Sequence, residues 1–224
     1  MTQANVSPTT GAWIQPRTAR ILAGGGFAEA VGGAVAVILS IVALSGMYTA
    51  LLLPIAAICI GFALLVEGAA IASRFRDLLQ ETGSRMELGE LGGGLSAEFV
   101  GGVTGVVMGV LALIGVAPLT LMSVTAIIFG VATLLGAAAT WAQRWPMVSA
   151  RESDERVRLL LRQAVSTASA LEVLSGLAAL LLGILGLTPI GTVSLPLAAF
   201  LIVGLAILLS GTIVGTKMSA AFQR

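Results

Sequence analysis

Six long apolar segments constrain the fold of this chain more than any motif does. Each contains the roughly 20 residues that a helix needs to cross the hydrocarbon core of a bilayer. They lie at 21–45, 50–73, 94–116, 119–141, 165–187 and 193–215. Of the 224 residues, 57% are hydrophobic and only 10% are charged, whereas soluble domains carry roughly 25% charged residues. We therefore predict an all-α, polytopic membrane protein with six transmembrane helices.

The basic residues are confined to alternate connections between these segments. The turns after the first, third and fifth segments contain no charged residue, and all 12 Lys and Arg lie in the two long connections and the two ends of the chain. They are Arg17, Arg20, Arg74, Arg76, Arg85, Arg144, Arg151, Arg156, Arg158, Arg162, Lys217 and Arg224. Because basic residues accumulate in cytoplasmic loops, we expect these connections and both termini to lie in the cytoplasm.

One glutamate recurs near the start of the first, third and fifth segments. These repeated glutamates are Glu29, Glu98 and Glu172, at nearly even intervals along the chain. Glycines follow each of them at two fixed offsets, first at Gly33, Gly102 and Gly176 and later at Gly61, Gly130 and Gly204. Seven residues beyond each glycine stand Ser40, Gly109 and Gly183, and then Gly68, Ala137 and Gly211. Residues seven apart share a helix face, and faces of small residues let membrane helices approach closely.

These offsets divide the chain into three copies of one helical hairpin. The repeats cover 21–73, 94–141 and 165–215, with linkers at 74–93 and 142–164 and tails at 1–20 and 216–224. A two-helix unit returns the chain to its starting side, so we predict parallel repeats in a pseudo-threefold arrangement. Two capping-box patterns, Ser84 with Glu87 and Ser149 with Glu152, predict a short cytoplasmic helix in each linker.

The repeat resembles that of the HdeD-like acid-resistance membrane protein family. The shared pattern is a pair of glycines seven apart, an apolar stretch, a turn with proline and a second pair, most clearly in Gly176–Pro189 with Val203–Gly215 and next in Gly102–Pro118. Ser40 and Ala137 depart from this pattern, and the repeated glutamates have no counterpart in it. The resemblance implies a multi-pass protein of the bacterial inner (plasma) membrane, linked to acid stress and without catalytic residues.

The repeated glutamates have two interpretations. They lie about 25 Å of helix from the far turns, just inside a hydrocarbon core of about 30 Å, where they could clamp neighbouring helices by pairing with Arg74, Arg144, Lys217 or the backbone. We favour this interpretation because the position is shallow. If the odd-numbered helices face the axis, the carboxylates instead gather into a cluster that could hold protons or attract cations, as in a channel or proton-coupled transporter. Glu67 lies deeper and is not repeated, and either interpretation could include it.

Other chemistry is scarce in the sequence. The chain has no His, which is the commonest metal ligand and general base, and its one cysteine, Cys59, lies in an apolar run. No metalloprotease, serine hydrolase, P-loop or CxxC motif is present, and a net charge of +1 gives no reason to expect nucleic acid. We therefore predict a non-enzymatic protein without metal or cofactor. The resemblance implies a role in stress tolerance, and the alternative is a role as a scaffold. Its expected partners are the lipid bilayer and either further copies of itself or a larger membrane complex, to which it could be an accessory subunit.

Overall fold

The computed structural model of the chain describes residues 16–82, 88–142 and 155–222, with side chains described at 27–69, 97–138 and 170–212. Within these ranges the chain forms six α-helices and no strand. They are α1 (Pro16–Leu44), α2 (Thr49–Thr82), α3 (Leu88–Leu113), α4 (Pro118–Ala142), α5 (Glu155–Gly186) and α6 (Ser194–Phe222).

Four helices contain a stretch long and apolar enough to cross a membrane. These candidate spans are Phe27–Leu44, Thr49–Ala69, Pro118–Ala138 and Ser194–Thr212. The other two helices, α3 and α5, hold shorter apolar stretches at Ala97–Leu113 and Ala170–Gly186. The chain is therefore an all-α, polytopic membrane protein, as its apolar segments predict.

Several helices extend beyond the predicted apolar segments and into the predicted linkers. α2 continues to Thr82 and α5 begins at Glu155, so part of each predicted linker belongs to a long helix. α1 begins at Pro16, inside the predicted N-terminal tail, with a residue type that suits the first helical position. The two predicted capping boxes fall in 83–87 and 143–154, outside the described residues.

The turns of the first two hairpins follow the same backbone path. Gly46 and Gly115 have φ angles of 88° and 90°, in the left-handed region that glycine enters without steric cost. The N–H of Gly115 donates to the carbonyl of Ala112 and so closes the last turn of α3. In the third hairpin Pro189 stands at this position, and its ring restricts φ to negative values. That turn therefore takes a different path through 187–193, with no left-handed residue.

The even-numbered helices form the centre of the bundle. α2, α4 and α6 contact one another, and each odd-numbered helix packs between two of them. α1 lies between α2 and α6, α3 between α2 and α4, and α5 between α4 and α6. The first and last helices are thus neighbours, and the three hairpins close into a ring.

Apolar side chains fill the space between the three central helices. Ile60, Phe129 and Val203 occupy equivalent positions in the three hairpins and are fully buried. The ring centroid of Phe129 lies 5.7 Å from that of Phe200, with the two rings tilted relative to each other. These four side chains are called the central plug below. Because they are packed against one another, the middle of the bundle is an apolar core.

The outward surface of the bundle is also apolar. Large aliphatic side chains on the outer faces of the odd-numbered helices are exposed, among them Val35, Ile38, Val103, Val107, Leu181 and Ile184. An exposed apolar surface that extends over several helices needs a cover other than water. Lipid supplies that cover for a protein with membrane spans, and the buried interior is left to small residues, the central plug and a few polar groups.

Candidate functional site

Three glycine pairs lie where neighbouring hairpins approach each other closely. They are Gly61 with Gly102 between α2 and α3, Gly130 with Gly176 between α4 and α5, and Gly204 with Gly33 between α6 and α1. A Cβ added to Gly61 would lie 2.8 Å from the carbonyl oxygen of Gly102, and one added to Gly130 would lie 2.6 Å from that of Gly176. Both distances are too short for any side chain, so these helices touch through their backbones.

At the crossing between α6 and α1 the two glycines differ in the space beside them, because a Cβ added to Gly33 would lie only 2.8 Å from the carbonyl oxygen of Gly204. A Cβ added to Gly204 would lie 3.3 Å from the carbonyl oxygen of Gly33. Seven residues after Gly102 and Gly176, the glycines Gly109 and Gly183 also lie against the backbone of a neighbouring helix. A Cβ added to them would meet carbonyl oxygens at 2.9 Å and 2.8 Å. The equivalent residue in α1 is Ser40, whose side chain is fully buried. The positions seven residues after the glycines of the even helices are buried too, namely Gly68, Ala137 and Gly211.

The repeated glutamates lie together at one end of the bundle. At this end, called the glutamate end, the odd-numbered helices enter the bundle and the even-numbered helices leave it. Glu29 and Glu98 are each only 5% exposed, and Glu172 is partly buried. Glu67, also partly buried, interacts electrostatically with all three of them. The four carboxyl groups therefore form one group, called the glutamate cluster.

The positions equivalent to Glu67 in the other hairpins complete this site. They are Gly136 in α4 and Ser210 in α6, which follow Glu67 at the same intervals that separate the repeated glutamates. The hydroxyl of Ser210 donates a hydrogen bond to the carboxylate of Glu29. The carboxyl group of Glu98 lies against Gly136, where it occupies the space that a side chain would need. Sequence reasoning identified the glutamates but missed these two contacts, although the register of Gly136 and Ser210 with Glu67 was a usable signal.

A small cavity lies within the glutamate cluster. It is lined by Glu67, Glu98, Thr133, Glu172, Ala206, Ile207 and Ser210. Its volume is about 10 Å³, close to the lower limit for holding one water molecule. Among the described residues, the buried Oε2 atom of Glu98 and the buried Oε1 atom of Glu29 have no hydrogen-bond partner. A buried acceptor without a donor is costly, so this is a place where a donor group is stabilised.

The position of the central helices decides which helices face the axis. The sequence left open whether the odd-numbered helices face the axis, and they do not, because α2, α4 and α6 occupy the centre. The repeated glutamates reach the cluster from the outer helices, alongside Glu67 from a central one. The expected partners Arg74, Arg144 and Lys217 lie outside the residues whose side chains are described, so those ion pairs stay predictions.

The polar groups of the site are carboxyl groups and the hydroxyls of Thr133 and Ser210. Over the described side chains, no group of three or more His, Cys, Asp or Glu has the geometry to hold a metal ion. Cys59 is a half-buried free thiol that packs against the apolar core. No protein-family model, curated protein or solved structure matches the chain.

Proposed function

We propose that this chain is a non-enzymatic scaffold of the bacterial inner membrane, of HdeD-like type, that serves acid or stress tolerance. In this proposal the glutamate cluster clamps the helices at the glutamate end. The observation that carries it is the hydrogen bond from Ser210 to Glu29, which joins the last helix to the first and so closes the ring of hairpins. A hydrogen bond to a buried carboxylate is among the stronger polar contacts available to a membrane helix pair.

Two further contacts support the clamp. Glu98 of α3 packs against Gly136 of α4, and Glu67 of α2 lies among the three repeated glutamates. Each of the three central helices thus meets a carboxyl group from an outer helix, or supplies one. The glycine crossings bring the backbones close enough for these short contacts to form.

The membrane arrangement that we propose has six spans with both termini in the cytoplasm. The apolar stretches of α3 and α5 are shorter than those of the other helices, but both helices pack between central helices that hold candidate spans. The restriction of basic residues to alternate connections supports the orientation. The glutamate end would then face the cytoplasm.

A small channel or proton-coupled transporter is the second candidate. The cavity lined by three glutamates favours it, because intramembrane carboxyl groups commonly mark ion and proton pathways. The central plug argues against it, since Ile60, Phe129 and Val203 are fully buried at the centre of the bundle. A conducting protein would need a second conformation in which these side chains separate.

A double-mutant cycle on Ser210→Ala and Glu29→Ala tests the clamp. We expect a coupling of about 1 kcal/mol in the free energy of unfolding, measured in detergent micelles. Thr104→Ala is the matched control, because the Thr104 hydroxyl donates to the Val100 carbonyl of its own helix and joins no two helices. Its coupling to Glu29→Ala should be close to zero. An equally small coupling for Ser210 would contradict the clamp.

A flux assay separates the clamp from the transporter. The parent protein and the variant with Glu29→Gln, Glu98→Gln and Glu172→Gln are reconstituted into liposomes under a pH or cation gradient. The scaffold predicts that both preparations leak no faster than empty liposomes. Flux in the parent that is lost in the folded triple variant would replace the scaffold with the second candidate.

A further inference from the structure

We propose that the cavity in the glutamate cluster is a proton-binding site, open toward the glutamate end only, with Glu67 as its proton-holding member. The proposal deepens the clamp and rests on it in one respect, because the same carboxyl groups would both bind the proton and join the helices. The ligand is the proton itself, carried by a carboxyl group or by one water molecule.

The first argument is the charge balance of the glutamate cluster. The outer helices contribute Glu29 from α1, Glu98 from α3 and Glu172 from α5, and α2 contributes Glu67. The remaining two helices present only neutral groups, Thr133 from α4 and Ser210, Ile207 and Ala206 from α6. No Lys or Arg occurs in 27–69, 97–138 or 170–212, which hold all the described side chains. Four negative charges crowded into one buried place are costly, and proton uptake relieves that cost.

The second argument is independent of charge and concerns the two unpartnered oxygens. Glu98 is 5% exposed and lines the cavity, and its Oε2 atom has no hydrogen-bond donor within the described chain. The nearby hydroxyls offer no proton to it. Thr133 donates to the carbonyls of Phe129 and Gly130, each at 3.0 Å, and Ser210 donates to Glu29. A proton on a neighbouring carboxyl group would supply the missing donor.

The size of the cavity favours a proton over a metal ion. About 10 Å³ holds roughly one water molecule. A metal ion would need several oxygen ligands around one point, and the described acidic residues do not converge in that way. A proton needs only one carboxyl oxygen and an acceptor within hydrogen-bond reach.

The three repeats differ at the position of Glu67, and this difference indicates that α2 holds the proton. The repeated glutamates occur once per hairpin, but the position equivalent to Glu67 is Gly136 in the second hairpin and Ser210 in the third. Because α2 lies between α1 and α3, Glu67 stands between the outer helices that carry Glu29 and Glu98. Glu67 is therefore the member of the cluster with like-charged neighbours on both sides, where neutralisation relieves the most repulsion.

The central plug separates the cavity from the end of the bundle opposite the glutamate end. Ile60 precedes Glu67 by seven residues, or about 10 Å of helix, and it is fully buried with Phe129, Phe200 and Val203. A proton that reaches the cluster therefore leaves by the end at which it entered. The cluster would sense the pH on one side of the membrane and would not conduct.

Infrared spectroscopy of the full-length protein in lipid nanodiscs tests this inference. We expect the carbonyl stretching band of protonated carboxylic acids to be present at neutral pH and to disappear reversibly as the pH is made alkaline. Glu67→Gln should remove from this band at least the share of one carboxyl group. Glu67→Gly and Glu67→Ser, which copy the second and third hairpins, should do the same if glutamine disturbs the fold. Glu155→Gln is the control, because residue 155 begins α5, about 25 Å of helix before Glu172.

Three outcomes would overturn the inference. One is the lack of a protonated band at neutral pH. A second is a band that all three Glu67 variants leave unchanged. A third is loss of the band at constant pH when sodium or magnesium is added, which would make the cavity a cation site. None of these outcomes changes the coupling between Ser210 and Glu29, so the clamp and the proton site can fail separately.

Discussion

The carboxyl group of Glu98 lies against the backbone of Gly136, with its Oε1 atom in the space where a Cβ would stand. The two residues belong to the two helices of the second hairpin. Gly136 is in register with Glu67 and Ser210, so α4 lacks a side chain where the other central helices carry a polar one. The missing side chain is what gives Glu98 its buried place.

Gly136→Ala should lower the free energy of unfolding by about 1–3 kcal/mol, because the added methyl group must displace a buried carboxyl group. Glu98→Ala in the same chain should remove most of that penalty, since it clears the space that the methyl group needs. The measurement is reversible unfolding in mixed micelles for the two single variants and the double variant. Additive effects of the two substitutions would show that Glu98 and Gly136 do not share this space.

Alanine substitutions at the glycine crossings should rank by the space beside the glycine that is replaced. An added Cβ on Gly61 or Gly130 would meet a carbonyl oxygen at 2.8 Å or 2.6 Å, whereas one on Gly204 has 3.3 Å. We therefore expect Gly61→Ala and Gly130→Ala to lower the thermal unfolding midpoint clearly, and Gly204→Ala to lower it less. The midpoint is followed by circular dichroism in detergent. A decrease in the midpoint that is equal for the three variants would contradict this ranking.

Phe129→Ala should destabilise the protein far more than Phe62→Ala. Phe129 is fully buried in the central plug, and a large-to-small change there should cost about 3–5 kcal/mol through lost contacts and the cavity left behind. Phe62 belongs to the central helix α2 but is 55% exposed, so its truncation should cost less than about 1 kcal/mol. Unfolding in mixed micelles compares the pair. If Phe62→Ala lowered the free energy of unfolding strongly and Phe129→Ala did not, the core would not lie between the central helices.

The sequence predicts the helices and the register between the repeats, but it does not predict which helices pack against each other. The offsets from each glutamate put Gly61, Gly130 and Gly204 at one position of the hairpin, and Gly33, Gly102 and Gly176 at another. Nothing in those offsets says that the even helix of one hairpin crosses the odd helix of the next. That pairing depends on how the three hairpins close into a ring, which is a property of the whole bundle.

There is a physical reason why the sequence does not predict which helices are central. Ile60, Phe129 and Val203 face the core, and Phe62, Val131 and Leu205 face outward, yet both sets are large and apolar. In water the two faces of a helix differ in polarity, but in lipid an outward face is as apolar as an inward one. Hydrophobic patterning therefore does not distinguish the inward face of these helices from the outward face, as it does in soluble proteins.

The glutamate cluster was partly readable from the sequence. Three carboxyl groups at one depth follow from the repeat, and Glu67 is a fourth carboxyl group without a copy in the other hairpins. Its place among the repeated glutamates required knowing that α2 lies between α1 and α3. The hydrogen bond between Ser210 and Glu29 likewise required knowing that the last helix packs against the first.

Because α1 and α6 lie side by side and run in opposite directions, the start of one and the end of the other occur at the same end of the bundle. The order in which the hairpins are synthesised is then separable from the order in which they pack. A circular permutant that begins with α3 and carries a new peptide link from α6 to α1 would retain every crossing, and cutting the chain between α2 and α3 would leave two fragments able to reassemble.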